Sequence, residues 1–244
     1  MRIAAIYDLH GNLPALEAVL PEIRRAEVDQ VVVGDDVLPG PMPRETLRCL
    51  LELDIPVQFI QGNGDRVVLA RMAGRESSEV PEQFREVILW NAQQLHPEDQ
   101  ELLATWPQTL HVEIGGVGDV LFCHATPRSD TEVFTRLTPG ALLAIFTGLN
   151  VSLVVCGHTH MQFDRTIGKI RVVNAGSVGM PFGKPGAYWL LLGPDVQLRH
   201  TPYDLAQAAE RIRDTEYPQA QDFAARNVLQ PPAEREMLET FSKG

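Results

Sequence analysis

Five short apolar runs in this chain each end at side chains of types that commonly bind metal ions. The runs are Ile3–Tyr7, Val31–Val33, Val57–Ile60, Val120–Cys123 and Val151–Cys156. Short apolar runs that glycine and polar residues close are typical of buried parallel strands. In open α/β sheets, ligands bind beyond the carboxyl ends of the strands. A fold that aligns these ends would bring seven side chains together: Asp8, His10, Asp35, Asn63, His124, His158 and His160.

Composition and charge narrow the classes of protein to which the chain can belong. With 244 residues, 44% of them hydrophobic, it is long enough to bury a substantial core. The net charge of −11 argues against a broad nucleic-acid or membrane-binding surface, although bound divalent cations would still allow a small anionic substrate. Three scattered cysteines favour a reducing compartment. No signal-peptide pattern and no membrane-spanning run is visible, so we expect a cytoplasmic protein.

The pattern of helices and strands indicates two packed sheets. Strand and helix signals alternate up to Val57–Ile60, with a helix from near Pro14 capped by Asn12 and a second helix over Arg44–Leu53, which is typical of a parallel sheet. The later strand-like runs lie close together, with one helix predicted near Pro139–Leu149 between them. These runs predict a second, mixed sheet that packs on the first.

Two further segments read as helical. Residues 66–106 show only helical periodicity, and they stand between two of the site residues, which predicts a helical cap near the site. Further peripheral helices are predicted from about residue 203. We therefore expect one domain over residues 1–244, with the cap inserted at about 66–106.

The order of these motifs carries a resemblance to a known family. The motifs are Asp8-x-His10, Gly34-Asp35, Gly62-Asn63, His124 and Gly157-His158-x-His160. In this order they resemble the calcineurin-like metallophosphoesterase superfamily. Residues 8–16, 34–43 and 174–179 are similar to its small bacterial and archaeal branch, which includes the YfcE-like phosphodiesterases. The resemblance extends from residue 1 to about residue 215, and it implies an α/β fold: a four-layer αββα sandwich of two mixed sheets flanked by helices.

The resemblance also implies a site with two metal ions. Asp8, His10 and His160 would hold one ion, Asn63, His124 and His158 would hold the other, and Asp35 would bridge them. Such a pair, about 3.5–4 Å apart, can clamp a phosphoryl group and lower the pKa of a bridging water. Mixed imidazole and oxygen ligands suit divalent transition-metal ions, with Mn²⁺ expected and Fe²⁺, Zn²⁺, Co²⁺ or Ni²⁺ as further candidates. Asp36, next to the expected bridge, is interpreted as a solvated or supporting group.

The chain departs from the family pattern at Gly64, where many members carry a histidine that protonates the leaving group. General acid catalysis of this kind is worth about 10²–10⁴-fold, so its loss favours substrates whose leaving groups have a low pKa. Asp65, which can orient that histidine in the family, would act on the reaction indirectly here, by holding a metal-binding histidine. A helix cap explains Asp65 equally well.

Three residues are candidates for binding the substrate phosphate. Arg66 and Arg128 follow metal-binding motifs, and arginine matches phosphate oxygens with a bidentate fork. Asn12 is a third candidate, although capping of the first helix explains it without a function. Trp90 and Trp106 in the cap could stack a nucleotide base, but core packing explains them better.

These features predict a metal-dependent phosphoesterase. An activated hydroxide at the two ions would hydrolyse small phosphodiesters or other phosphoesters, including nucleotides. A dinucleoside polyphosphate hydrolase is the alternative that Gly64 favours. A binding module on the same fold, like the retromer subunit that resembles this branch, is a third interpretation. The complete set of seven ligands argues against that third interpretation. The sequence gives no indication of the oligomeric state.

Overall fold

A computed structural model of the chain describes residues 1–78 and 80–242. The ten strands, β1 to β10, are Ile3–Ile6, Gln30–Val33, Val57–Phe59, Thr109–Ile114, Gly118–Cys123, Leu153–Cys156, Phe163–Ile167, Ile170–Asn174, Ala187–Leu192 and Val196–Thr201. The α-helices, α1 to α8, are Leu13–Arg25, Pro43–Leu51, Asn63–Met72, Arg85–Gln94, Pro97–Leu103, Leu205–Arg213, Ala220–Phe223 and Glu234–Phe241. A π-helical segment, Ala224–Leu229, continues directly from α7.

The strands form two mixed five-stranded sheets. The first has the order β10-β9-β1-β2-β3, in which β1, β2 and β3 are parallel and β9 and β10 are antiparallel. The second has the order β4-β5-β6-β8-β7, in which β5, β6 and β8 are parallel. Each sheet therefore has a parallel centre, and loops that carry polar residues follow the carboxyl ends of its strands.

Side-chain alternation along β1 explains how the sheets stack. Successive residues of a strand point to opposite faces. Ile3, Ala5 and Tyr7 pack between the two sheets, whereas Ala4 and Ile6 pack against the helices. All five are fully buried, so β1 is covered on both sides. This packing confirms the prediction of two mixed sheets in a sandwich flanked by helices.

Two local predictions differ from the structure. The segment predicted as one helix near Pro139–Leu149 forms only two short 3₁₀ turns, Gly140–Leu142 and Ala144–Phe146. The Thr147 hydroxyl and backbone N–H both bond to the carbonyl oxygen of Ala144, which closes the second turn instead of extending it. β7 had no predicted counterpart, because only Phe163 and Ile167 at its two ends are apolar and buried.

The helical elements that lie away from the sheets form two groups. α3, α4 and α5 occupy residues 63–103, the region predicted as the cap. α6, α7 and the π-helical segment form a separate apolar cluster that includes Val87 of α4. Among the described residues, none of the helices combines the length and the apolar composition needed to cross a bilayer.

Candidate metal centre

The predicted site residues all lie in loops that follow parallel strands, or at the start of a helix after one. Asp8 and His10 follow β1, and Asn63 begins α3 directly after β3. Within the described part of the chain, seven residues other than glycine have a positive φ, and six of them are at this site. These six are Asp8, His10, Asp35, Asp36, His158 and His160. Such angles are uncommon for residues with a side chain, and they concentrate at functional sites.

The first group of potential ligands is Asp8, His10 and His160. Nε2 of His160 lies 3.2 Å from Nε2 of His10 and 3.2 Å from Oδ1 of Asp8. Oδ2 of Asp8 accepts a hydrogen bond from the backbone N–H of His158, which leaves Oδ1 directed at the two rings. A side chain at Gly157 would collide with Tyr7 and Asp8, so glycine is required for this close approach.

Backbone contacts determine which nitrogen of each ring carries the proton. Nδ1 of His10 lies 3.3 Å from the carbonyl oxygen of Pro39, and Nδ1 of His160 lies 2.7 Å from that of Met180. Because a carbonyl oxygen only accepts, Nδ1 donates in each ring, and the neutral ring presents the lone pair of Nε2. Two lone pairs and a carboxylate oxygen thus converge on one point. A cation is the group that such an arrangement fits.

The second group of potential ligands is Asn63, His124 and His158. Nε2 of His124 lies 2.6 Å from Oδ1 of Asn63 and 2.9 Å from Nδ1 of His158. Nδ1 of His124 faces the opposite way and contacts the carboxylate of Asp35. A carboxylate on one imidazole nitrogen fixes the tautomer and directs the other nitrogen to a metal.

Asp36 lies between the two groups. Its Oδ2 is 3.9 Å from Nε2 of His10 and 3.7 Å from Nε2 of His124, whereas Oδ1 accepts a hydrogen bond from the backbone N–H of Gly64 at 2.7 Å. Its side chain is almost fully buried, so of the two roles predicted for it, solvated or supporting, the solvated one is wrong. Asp35 is also buried, and its Oδ1 accepts from the backbone N–H of Asp8 at 3.4 Å.

The charges at the centre are unbalanced without a cation. Burial raises the pKa of Asp36 to about 7, and burial together with the charge of Asp8 raises the pKa of Asp35 well above its ordinary value. Burial also lowers the pKa of His10 and of His158 to about 3. Oδ1 of Asp8 and Oδ2 of Asp35 are buried and face ring nitrogens of His160 and His124. Divalent ions would neutralise these carboxylates, so the donor set fits a metal centre.

The structure also places the predicted indirect group, Asp65. Its Oδ1 accepts from the backbone N–H of Leu38 at 3.0 Å, and its Oδ2 accepts from that of Gly62 at 3.2 Å. Both oxygens therefore hold the start of α3 and the neighbouring loop. Asp65 thus plays the capping role, the second of the two roles that the sequence left open. Gly64 is equally enclosed, since a Cβ there would overlap the carbonyl oxygen of Leu38.

Of the three predicted phosphate contacts, only Arg66 lies at the site. It lines a cavity beside Asn63, and its Nε donates to Oδ2 of Asp130 at 2.6 Å. Arg128 is paired with Glu132, its side chain is 62% exposed, and it lines a different depression of the surface. Oδ1 of Asn12 caps α1 by accepting from the N–H of Ala15, and its Nδ2 donates to the carbonyl oxygen of Gly179. Asn12 therefore has a structural role.

Sequence reasoning missed the proximity of Asp36 to both groups of ligands. The available signal was the pair of adjacent acidic residues at the end of β2, either of which could face the site. It also missed Phe84, which lines the cavity at the centre. The two tryptophans considered for base stacking pack within the protein instead: Trp106 stacks on Phe59 at 4.6 Å, and Trp90 packs against Tyr217 at 5.5 Å. No periodicity distinguishes such a cavity residue from a residue of the core.

Comparisons with known proteins agree with this geometry. Residues 1–193 match the model of the calcineurin-like phosphoesterase superfamily domain. The uncharacterized protein MJ0912 of Methanocaldococcus jannaschii is 28% identical over 238 residues, which cover 89% of this chain and 94% of that protein.

Two solved structures share the fold over nearly the whole chain. A metallophosphoesterase from Sphaerobacter thermophilus is 27% identical with a TM-score of 0.70, and the match covers 93% of this chain and 99% of that one. The hypothetical protein PH1004 from Pyrococcus horikoshii OT3 has a TM-score of 0.79 at 20% identity, over 95% and 99% of the two chains. Because the family model spans most of the sequence, the chain belongs to the calcineurin-like phosphoesterase superfamily.

Proposed function

We propose that this protein hydrolyses small phosphoesters at a centre of two divalent transition-metal ions. The observation that carries the proposal is the convergence of ligand atoms: Nε2 of His10 and of His160 point at each other and at a carboxylate, with both Nδ1 atoms facing carbonyl oxygens. Two such ions, when bound, polarise a phosphoryl group and lower the pKa of a water. Mn²⁺ is the expected ion, since the donors are imidazole and oxygen.

In this proposal the two adjacent aspartates have different roles. Asp36 would hold both ions, because its Oδ2 lies 3.9 Å from Nε2 of His10 and 3.7 Å from Nε2 of His124. Asp35 holds the ring of His124 from the opposite side, by contact with Nδ1. Ligand atoms of Asp8, Asp35 and His124 also lie within 4.8 Å of one another. However, Nε2 of His124 faces Asn63 and His158. If His124 bound a metal through Nδ1 instead, Asn63 and His158 would lack the third ligand of their group.

The remaining roles follow from the contacts. Asp8, His10 and His160 would hold one ion, and Asn63, His124 and His158 would hold the other. Arg66 lies at the mouth of the site, where it can contact a phosphate oxygen while Asp130 fixes its guanidinium group. Asp65 positions Asn63 through the start of α3.

Paired variants test this assignment. We expect Asp36→Asn to lose at least one metal ion per chain, measured by inductively coupled plasma mass spectrometry, and most of the activity on bis(p-nitrophenyl) phosphate. Asp35→Asn should keep both sites but bind the ions about 10–100-fold more weakly, as is usual when a supporting carboxylate is removed. The opposite ranking would assign the bridge to Asp35.

The same assay separates the competing functions. Hydrolysis of diadenosine tetraphosphate much faster than of the diester would favour a dinucleoside polyphosphate hydrolase. A protein that binds two ions but hydrolyses neither compound would support the non-catalytic binding module and contradict the proposed function.

A further inference from the structure

A cavity of about 480 Å³ leads away from the proposed metal centre. His10, Asp36 and Asn63 form one end of it, and the cap and the C-terminal helical segments enclose the rest. Its volume is in the range of pockets that hold small organic molecules. A substrate phosphate at the centre would therefore direct any organic group that it carries into this cavity.

The wall beyond the metal centre is mainly apolar. Pro81 and Phe84 contribute one side, and Met180, Tyr217 and Phe223 contribute the other. Phe84 is 45% exposed, so its ring is accessible to a group that enters the cavity. Tyr217 and Phe223 are buried and pack edge to face at 6.0 Å, so they form a firm surface opposite.

Contacts across the cavity hold its two sides together. Nε2 of Gln219, just before α7, donates to the carbonyl oxygen of Gln83 in the cap at 3.0 Å. A second contact between the two sides is that of Trp90 of α4 with Tyr217, whose ring centres are 5.5 Å apart. The wall is thus built by two segments that are distant in sequence and are held together by direct contacts.

The charges along the wall bear on what the cavity can hold. Arg66 forms an ion pair with Asp130 at 2.6 Å, and Arg226 forms one with Asp222 at 3.0 Å. Arg66 lies beside Asn63 at the centre, so beyond the centre Arg226, which already faces Asp222, is the one arginine that lines the cavity among the described residues. A polyphosphate chain needs several cations along its length. An uncharged group needs none.

We infer that this cavity holds an uncharged, mainly apolar organic group of the substrate, of the size of one or two aromatic rings, next to a single phosphate at the metal centre. This inference rests on the proposed function, since the ions provide the anchor for the phosphate. It names the class of substrate as phosphoesters of an aryl or similarly apolar alcohol.

Binding of phosphonates tests the inference without turnover. Each probe carries one organic group on one phosphorus atom, so the group has only one way to enter the cavity. We would measure Kd by calorimetry on the Mn²⁺-loaded protein for methylphosphonate, benzylphosphonate and (1-naphthylmethyl)phosphonate. Burial of a ring predicts that naphthylmethylphosphonate binds about 10-fold or more tightly than methylphosphonate.

Variants on the same part of the cap locate the effect. Phe84→Ala should remove most of the increase in affinity with ring size and leave the Kd of methylphosphonate unchanged. Phe84→Leu should keep part of that increase in affinity. Leu89→Ala is the matched control, because Leu89 is similarly exposed on α4 but lies outside this cavity. It should behave as the wild type.

The possible failures are distinguishable. If methylphosphonate binds but ring size has no effect, the cavity inference is wrong and the proposed function stands. Adenosine 5′-monophosphate carries a ring system of similar size that is polar. If its affinity exceeds that of methylphosphonate by more than the affinity of the naphthyl compound does, the apolar assignment is wrong. If none of the phosphonates binds, the phosphate anchor is absent, and both proposals fail.

Discussion

At the residue scale, the centre depends on backbone angles that side chains normally avoid. Asp8 and His10 have φ values of 51° and 46°, and His158 and His160 have values of 68° and 55°. Hydrogen bonds between loops hold these residues in place. The N–H of His10 donates to the carbonyl oxygen of Asp36 at 2.8 Å, and the N–H of Gly179 donates to the carbonyl oxygen of Asp8 at 3.0 Å. These hydrogen bonds from neighbouring loops therefore stabilise the unusual backbone angles.

Gly64 gives a test at this scale. A Cβ there would overlap the carbonyl oxygen of Leu38 and lie 2.9 Å from Oδ1 of Asp36. We expect Gly64→Ala to lower the free energy of unfolding by about 1–3 kcal/mol, as overpacking of an enclosed site does. Urea denaturation followed by circular dichroism measures this change.

Gly115→Ala is the control for that measurement, because a Cβ at Gly115 would meet no atom within 4 Å. Its effect should stay within about 0.5 kcal/mol of the wild type. Equal stability of the two variants would show that the loop beside Gly64 moves freely, contrary to the contacts described above.

The sequence was sufficient to identify residues of metal-binding types, but not to assign the separate roles of the adjacent Asp35 and Asp36. Six of the seven predicted ligands converge in two groups, and the geometry favours Asp36 for the position between them that was predicted for Asp35. Which of two adjacent carboxylates faces the ions depends on φ values of 134° and 32° at these residues. Residue types alone do not encode those angles.

At the scale of elements, the side chain of Asn12 links the start of α1 to the loop beside the site. Oδ1 of Asn12 caps the helix through the N–H of Ala15 at 3.2 Å, and Nδ2 donates to the carbonyl oxygen of Gly179 at 2.8 Å. Both atoms are buried, so each bond lost would leave a polar group without a partner. The helix and the loop beyond β8 are thereby held in one arrangement.

We therefore expect Asn12→Ala to reduce stability and not substrate binding. Loss of a cap costs about 0.5–2 kcal/mol, and the unpaired carbonyl group adds to this. Asn12→Ser should restore part of the loss, since serine also caps helices. Thermal denaturation measures the stability and calorimetry measures the Kd of inorganic phosphate. A weaker Kd with unchanged stability would instead make Asn12 a phosphate contact.

Elements with a strong pattern were predictable, and those defined by tertiary contacts were not. α1 buries Leu16, Leu20 and Ile23 as their spacing predicts. β7 was missed because its middle residues are polar and its pairing with β8 depends on an adjacent turn. The helix predicted near Pro139–Leu149 did not form, since local hydrogen bonds there favour short turns.

At the scale of the whole molecule, the centre places like charges in the interior. Asp8 and Asp35 are fully buried and Asp36 is nearly so. Burial raises the pKa of Asp35 and of Asp36, so their charged forms oppose folding without cations, and binding of ions to the native state alone would stabilise it. The stability of the molecule should therefore depend on the metal supply.

Removal of metal tests this dependence. We expect a chelator to lower the Tm and Mn²⁺ to restore it, with about 2.7 kcal/mol gained for each site when the free ion is at 100 times its Kd. Differential scanning calorimetry measures the shift. Asp36→Asn, which removes the proposed bridge, should respond less than the wild type. A Tm that is identical with chelator and with Mn²⁺ would contradict the presence of a resident metal centre.

One side of the cavity comes from a part of the chain that carries none of the predicted ligands. The ligands occupy loops between residues 8 and 160, inside the region that matches the family, whereas Tyr217, Phe223 and Arg226 lie beyond residue 193, where that match ends. The proposed chemistry and one side of the cavity thus depend on separate stretches of sequence, while Pro81 and Phe84 on the other side lie within the family match. An engineer who replaces residues 217–232 with those of a relative would change one side of the cavity and keep every predicted ligand.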